Sequence, residues 1–251
     1  MSSFDRVAAQ FEFHRSFPPE VTNQICDTVR AELPHDGKIL EIGAGTGRFG
    51  KALVQAGCDY FGVDQSLEML REFSSGNRLA NLVQADAHLL PFTSQAFSGV
   101  LLFHFFNASI YGDDLFAEIA RVLVSGGVVL VGKRVGPIPS IDAQMRDELR
   151  SILGTMSIQM PEAGRGRSAA LTQLQSMTES RKKTVAAVWK SEYCPDEFLQ
   201  RHRTGAWFSQ LEEKVQNESL ARLGTWAKQR FGSLNAESVE EYRFELDIFR
   251  F

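Results

Sequence analysis

The chain has 251 residues, 43% apolar and 23% charged, with a formal charge of -4. That is enough chain to bury one large core, and it lacks the cationic excess that a nucleic-acid partner requires. The three cysteines, Cys26, Cys58 and Cys194, are too scattered for a metal site or a disulfide framework, so a reducing, cytoplasmic compartment fits best.

The N-terminus, MSSFDRVAAQFEFHRSF, carries charges where a signal peptide needs an apolar core, and no apolar run is long enough to span a membrane. Residues 3–33 read as amphipathic helix. Phe4, Val7, Ala8 and Phe11 recur at helical spacing, as do Val21, Ile25, Val29 and Leu33, with Pro18-Pro19 between the two sets. This segment, 1–35, is either core packing or a flap over a ligand site.

A regular alternation follows. Strands are predicted at Lys38–Ile42, Tyr60–Val63, Leu82–Gln84, Gly99–Phe103 and Val128–Gly132. Helices are predicted near Arg48–Ala56, Leu67–Ser74 and Asp113–Val122. Strands alternating with helices need crossover connections, hence a parallel sheet covered on both faces. The runs YFGV, GVLLF and VVLVG are apolar throughout, as such strands should be. After Gly136 the pattern changes. Residues 137–180 read as a helical lid insertion, with helices around Ile141–Leu153 and Ala169–Thr178. Strand Lys183–Trp189, a helix at Pro195–His202 and a long helix over Leu211–Phe231 come next. The closing stretch Tyr242–Phe251 alternates apolar with charged residues, the mark of a strand with one polar face at a sheet edge. The whole reads as one domain, with a core at 36–136 and C-terminal strands and helices at 181–251.

The chemistry gathers at strand ends. Lys38–Gly50, KILEIGAGTGRFG, breaks from a strand into Gly43, Gly45 and Gly47. The spacing alone is ambiguous, because GTGRFG also matches a dinucleotide fingerprint. Three acids decide between the readings. Glu41 precedes the glycines, where a carboxylate suits a ligand's amino group. Asp64 ends the second strand, about 20 residues on, where an acid takes ribose hydroxyls. Asp86 ends the third strand, where a carboxylate takes the adenine amine and the Ala87 N–H a ring nitrogen. Ammonium, ribose and adenine together describe S-adenosylmethionine.

On these residues the sequence resembles the class I S-adenosylmethionine-dependent methyltransferases, in the small-molecule group that includes the ubiquinone- and menaquinone-pathway C-methyltransferases. LEIGAGTGRFG, GVDQSLEML, QADAHLLPF, FSGVLLFHFFNAS and RVLVSGGVVLVG carry the resemblance over roughly residues 36–133. The resemblance implies a Rossmann-like α/β fold whose seven strands are ordered 3-2-1-4-5-7-6, strand 7 antiparallel. It implies that Glu41 faces the methionine ammonium through water, that Gln65 and Met69 flank the adenine, and that the Phe103 carbonyl also meets the ammonium. Ser98 stands where the family usually has an acid. No metal is implied.

His104, just past strand 4, is the main candidate base, and its alternative is packing among Phe103, Phe105 and Phe106. Tyr111 could orient an acceptor. His14, His202 and Tyr193 are weaker candidates, and His88 and Arg48 read as solvated. The lid residues, with the stretch RHRTGAWF at Arg201–Phe208, suit a small, partly apolar acceptor. Amino-methylating enzymes of proteins and nucleic acids usually carry an Asn/Asp-Pro-Pro-aromatic motif, and here His104-Phe105-Phe106-Asn107 has no proline. A protein or nucleic-acid methyltransferase, a non-catalytic cofactor binder and an NAD-dependent oxidoreductase are the competing readings. A monomer or homodimer is expected.

Overall fold

The computed structural model describes residues 17–34, 37–75, 80–106, 112–161, 165–203, 205 and 207–251. In chain order the elements are α1 (Pro19–Glu32), β1 (Ile39–Ile42), α2 (Gly50–Gln55), β2 (Tyr60–Asp64), α3 (Leu67–Ser74), β3 (Asn81–Gln84), β4 (Phe97–Phe103) and α4 (Asp113–Val122). Then come β5 (Leu123–Val135), α5 (Ile141–Thr155), α6 (Arg165–Ser176), β6 (Ser180–Tyr193), α7 (Pro195–Arg203), α8 (Glu213–Phe231) and β7 (Ser238–Arg250). The helical segment expected around Phe4–Phe11, together with His14, lies outside the described residues.

The seven strands form one sheet in the order β3-β2-β1-β4-β5-β7-β6, with β7 antiparallel to both neighbours. Strands β1 and β4 are buried along their whole length, which explains their unbroken apolar runs. Alternate residues point to opposite faces, so the sheet separates two cores. One face packs Leu101, Leu130 and Phe244 against Ile25 and Val29 of α1. The other packs Val100, Leu102 and Val129 against Leu115 and Ile119 of α4. Local caps agree with the pattern. The Ser66 hydroxyl accepts the Met69 N–H at 3.3 Å to start α3, and the Ser140 hydroxyl accepts the Ala143 N–H at 3.0 Å to start α5.

Two expectations need correcting. The stretch 137–180 does not act as one lid. Ala170 and Leu174 of α6 pack on the sheet, so α6 is the crossover helix from β5 to β6. Met145 and Leu149 of α5 join Phe198 of α7 and Leu220 and Leu223 of α8 in a third core. Direction places that core. β5 and β6 both end at the C-terminal edge of the sheet, and β7 starts there, so α5, α7 and α8 cap that edge. The Ile141 N–H ties the cap to β7 through Glu240 Oε1 at 2.7 Å.

The second correction concerns β7, whose alternation reads as an edge strand. It lies inside, between β5 and β6, and β6 is the outer strand. Its charges are tolerated because they are paired. Asp247, 2% exposed, accepts from Arg167 at 2.6 Å and Arg181 at 2.7 Å. Glu245, 5% exposed, meets Lys183 at 2.9 Å and Arg243 at 2.8 Å. Asp247→Ala leaves the Arg167 cation buried without its carboxylate, and is expected to lower the urea-unfolding free energy by about 3 kcal/mol. An unchanged midpoint would show that the pair adds nothing.

Candidate active site

The glycine turn after β1 is built by backbone that L side chains rarely adopt. Gly43, Gly45 and Gly47 have φ of 78°, 55° and 84°. Around them the space differs. A side chain at Gly47 would meet Phe73 at 2.5 Å, whereas one at Gly45 would meet nothing nearer than the Gly43 carbonyl at 4.0 Å. The turn is packed below Gly47 and open above Gly45.

Asp64 fixes the turn from the neighbouring strand. One carboxylate oxygen accepts the Gly45 N–H at 2.9 Å, and the other accepts the Ser66 N–H at 2.8 Å. The carboxylate therefore holds the open part of the turn and the entry to α3 together. Gln65 is exposed beside it, and Met69 is buried at 2% exposure on the first turn of α3.

At the end of β3, Asp86 is half-exposed and accepts the His88 N–H at 2.9 Å, with the His88 ring at 2.7 Å. Those hydrogen bonds hold its carboxyl below the usual range. The pairing accounts for His88, which reads from sequence as merely solvated. Ala87 is buried, and its N–H donates to no acceptor among the described residues. An unused donor beside a carboxylate at a strand end is the complement of an adenine edge.

Glu41 takes a more buried position. It is 3% exposed on the α1–α2 face of β1, opposite Gly62, and accepts the Tyr60 hydroxyl at 2.5 Å. Tyr60 is a partner that sequence reasoning missed. The signal was available, since a glycine opposite an acid leaves room for the next same-face side chain. Burial pushes the Glu41 carboxyl up to about 8, against the pull of Tyr60 and Arg48. An unfolded glutamate titrates near about 4.3. Between these values the unfolded chain is ionised and the folded chain protonated, so unfolding releases a proton. Stability should therefore fall as pH rises through this window. Melting temperatures taken across it should fall less steeply in Glu41→Gln, and equal slopes would contradict the buried, protonated state. Nearby Cys26 is no nucleophile, because burial pushes its thiol up to about 12.

Strand β4 runs past its last pair with β1, at Leu101, to Phe103. His104 then turns the chain with φ 53°, a left-handed conformation costly for a side chain. Its N–H donates to the Gly132 carbonyl at 3.0 Å. Its ring stacks near Phe17 and Phe49, with centroids 6.1 and 6.4 Å away, and meets Phe244 edge-on at 5.7 Å. Nε2 is buried without a hydrogen-bond partner. Burial, then the Arg48, Arg134 and Arg167 cations, holds the imidazole well below its usual pKa, so it is neutral near pH 7. Arg48, read from sequence as solvated, sits over the Phe17 ring at 5.4 Å. The aromatic cluster extends through Trp189, which Phe17 meets edge-on at 5.2 Å, to Tyr242, stacked on Trp189 at 5.8 Å. Sequence reasoning missed this aromatic wall, because its members come from the residues just before α1 and α2, from β6 and from β7.

Tyr193 and His202 belong to the cap. The Tyr193 hydroxyl lies 3.3 Å from Asp142, and the His202 ring stacks on Phe198. Tyr111 lies outside the described residues. Among the described residues no group of three or more His, Cys, Asp or Glu could hold a metal ion, and no helix is long and apolar enough to cross a membrane.

The methyltransferase-domain family matches residues 40–131, which run from β1 to β5 and contain the glycine turn, Asp64, Asp86 and His104. No curated protein matches the chain by sequence. Solved structures share the fold. The YcgJ protein of Bacillus subtilis is 18% identical with a TM-score of 0.58, over 92% of this chain and 97% of that one. A proposed type II methyltransferase from Anaeromyxobacter dehalogenans is 14% identical with a TM-score of 0.62, over 94% and 97%. An S-adenosylmethionine-dependent methyltransferase from Thermotoga maritima is 18% identical with a TM-score of 0.54, over 99% and 98%. A methyltransferase domain thus matches the part of the chain that carries the strand-end site, and the solved structures share the sheet around it.

Proposed function

We propose that the protein methylates a small, partly apolar acceptor held between the end of β4 and the α5–α7–α8 cap. The observation that supports this most is the row of groups along one sheet edge. The open glycine turn, Asp64 and the Asp86–Ala87 corner run from β1 to β3, and the aromatic cluster around His104 stands at the end of β4, the next strand on the other side of β1. The first three fit the methionine, ribose and adenine parts of one ligand. The aromatic cluster suits a partly apolar acceptor seated against it.

In this reading the Gly45 backbone lets the methionine portion approach, Asp64 takes the ribose hydroxyls, and Asp86 with the Ala87 N–H reads the adenine. Gln65 and Met69 border the adenine. Glu41 faces the ammonium through water from beneath the turn, its carboxyl ionising as the ammonium arrives, and the Phe103 carbonyl acts from β4. Bound there, S-adenosylmethionine supplies a methyl group activated by its sulfonium. The acceptor's lone pair forms the new bond to the methyl carbon while the electrons of the carbon–sulfur bond return to sulfur. The protein's work is then orientation and exclusion of water, which the buried aromatic wall provides.

An oxygen or nitrogen acceptor that carries a proton must also lose it. The neutral Nε2 of His104 is the group positioned to take that proton. His104→Ala is expected to slow turnover about 100-fold or more with S-adenosylhomocysteine affinity unchanged. The assay is transfer of labelled methyl from S-adenosylmethionine into fractionated small-metabolite extract. Undiminished transfer by the variant would remove His104 from the mechanism, and label only in protein or nucleic acid would overturn the small acceptor.

A further inference from the structure

We infer that the methyl acceptor carries a carboxylate, and that Arg134, beside His104 at the edge of the sheet, receives it. This deepens the proposed function and rests on it.

Arg134 lies near the end of β5, two residues past Gly132 and on the same face as Leu130. Gly132 is the residue whose carbonyl holds the His104 N–H. The guanidinium sits over the Tyr242 ring at 4.9 Å and is half-buried, so it is open on one side. Among the described residues it makes no ion pair and no hydrogen bond. Burial pulls its pKa down, and the nearby Arg48 and Arg146 cations add to the effect.

Other cations around the site have anions. Arg146 meets Asp142 at 2.5 Å, Arg201 also meets Asp142, and Arg167 meets Asp247 at 2.6 Å. The carboxylates around Arg134 do not pair with it: the Arg134 charge is felt at Glu197, but the two form no ion pair. Asp142 serves those two arginines, and Glu240 accepts from the Ile141 N–H at 2.7 Å and the Tyr242 hydroxyl at 2.5 Å. A buried cation without an anion is costly. A second unsatisfied atom, His104 Nε2, lies on the adjoining strand end.

The surroundings narrow the ligand. Rings of Phe17, Phe49, Phe244, Trp189 and Tyr242 ask for an apolar body. The Arg134 guanidinium, with a neutral imidazole beside it, suits an anion of low charge. The planar fork of arginine matches a carboxylate in two parallel hydrogen bonds. A phosphate dianion would be left under-neutralised. An acid seated on Arg134 would also offset one of the cations that hold His104 low, so the acceptor would improve its own base.

The test uses the full chain saturated with S-adenosylhomocysteine. The probes are aromatic and aliphatic monocarboxylates, each beside its primary amide, with inorganic phosphate as a third arm. In the wild type at least one acid should bind about 10-fold or more tightly than its amide, equivalent to one charge-assisted hydrogen bond. Arg134→Gln should erase the difference, and Arg134→Lys should keep part of it. S-adenosylhomocysteine affinity should stay the same in both variants. The melting temperature of ligand-free Arg134→Gln should rise by about 3 °C, since an unpaired cation is removed from a half-buried place. The inference is overturned if no acid outbinds its amide, if the preference survives in Arg134→Gln, if phosphate displaces the acids, or if Arg134→Gln melts lower. Failure of the wild type to bind S-adenosylhomocysteine would instead bring down the methyltransferase reading on which the inference rests.

Discussion

Asp64→Ala should weaken S-adenosylhomocysteine binding by about 100-fold or more, a larger loss than any other single side chain in the site should give. Two hydrogen bonds from ribose hydroxyls to a carboxylate are each worth about 1.5–3 kcal/mol. The same change releases the Gly45 and Ser66 N–H groups, now held at 2.9 and 2.8 Å. The turn should loosen, and unfolding free energy should fall by about 2 kcal/mol. Titration well below the melting temperature separates the two effects. Asp64→Asn has the same shape but replaces one acceptor with a donor, so it should lie between wild type and alanine. Affinity within about threefold of wild type in Asp64→Ala would show that Asp64 holds only the turn.

The glycine turn offers the second large effect, as a contrast between neighbours. Gly47→Ala forces a methyl onto Phe73 at 2.5 Å in a backbone with φ 84°. The conformation costs about 1–2 kcal/mol and the crowding a similar amount, so the melting temperature should fall by about 8 °C. Gly45→Ala carries only the conformational cost, because its nearest neighbour is 4.0 Å away, and should lose about 3 °C. Yet Gly45→Ala should bind S-adenosylhomocysteine at least about 10-fold more weakly, because its methyl fills the space a ligand needs. If Gly45→Ala kept full affinity, the open side of the turn would not be the ligand side.

Much of this architecture was legible in sequence because local and global signals agreed. The apolar runs of β1, β2 and β4 announce a sheet buried on both faces, and Glu41, Asp64 and Asp86 fall at or near the ends of β1, β2 and β3. What was not legible depended on partners distant in the chain. The alternation in β7 looks like an exposed edge until Arg167, Arg181 and Lys183 arrive to pair its acids. The α6 helix looks like part of a lid because its polar stretch hides the two small patches, Ala170 and Leu174, that dock on the sheet. Glu41 reads as a residue facing a ligand, and its company with Tyr60 becomes visible only when β1 and β2 are placed side by side. The wall around His104 draws on four separate segments and has no motif. Arg134 follows a buried apolar strand and carries no sequence signal. It stands out only when no nearby carboxylate proves to pair with it.

The central claim is that the edge from β1 to β3 binds an adenosine ligand with an amino-acid tail. Calorimetric titration of the full chain with S-adenosylhomocysteine, beside an identical titration with NAD, tests it most directly. One site of micromolar affinity for S-adenosylhomocysteine, and no heat with NAD, is the expected result. Binding of NAD at that site without S-adenosylhomocysteine, or no binding of either, would contradict it.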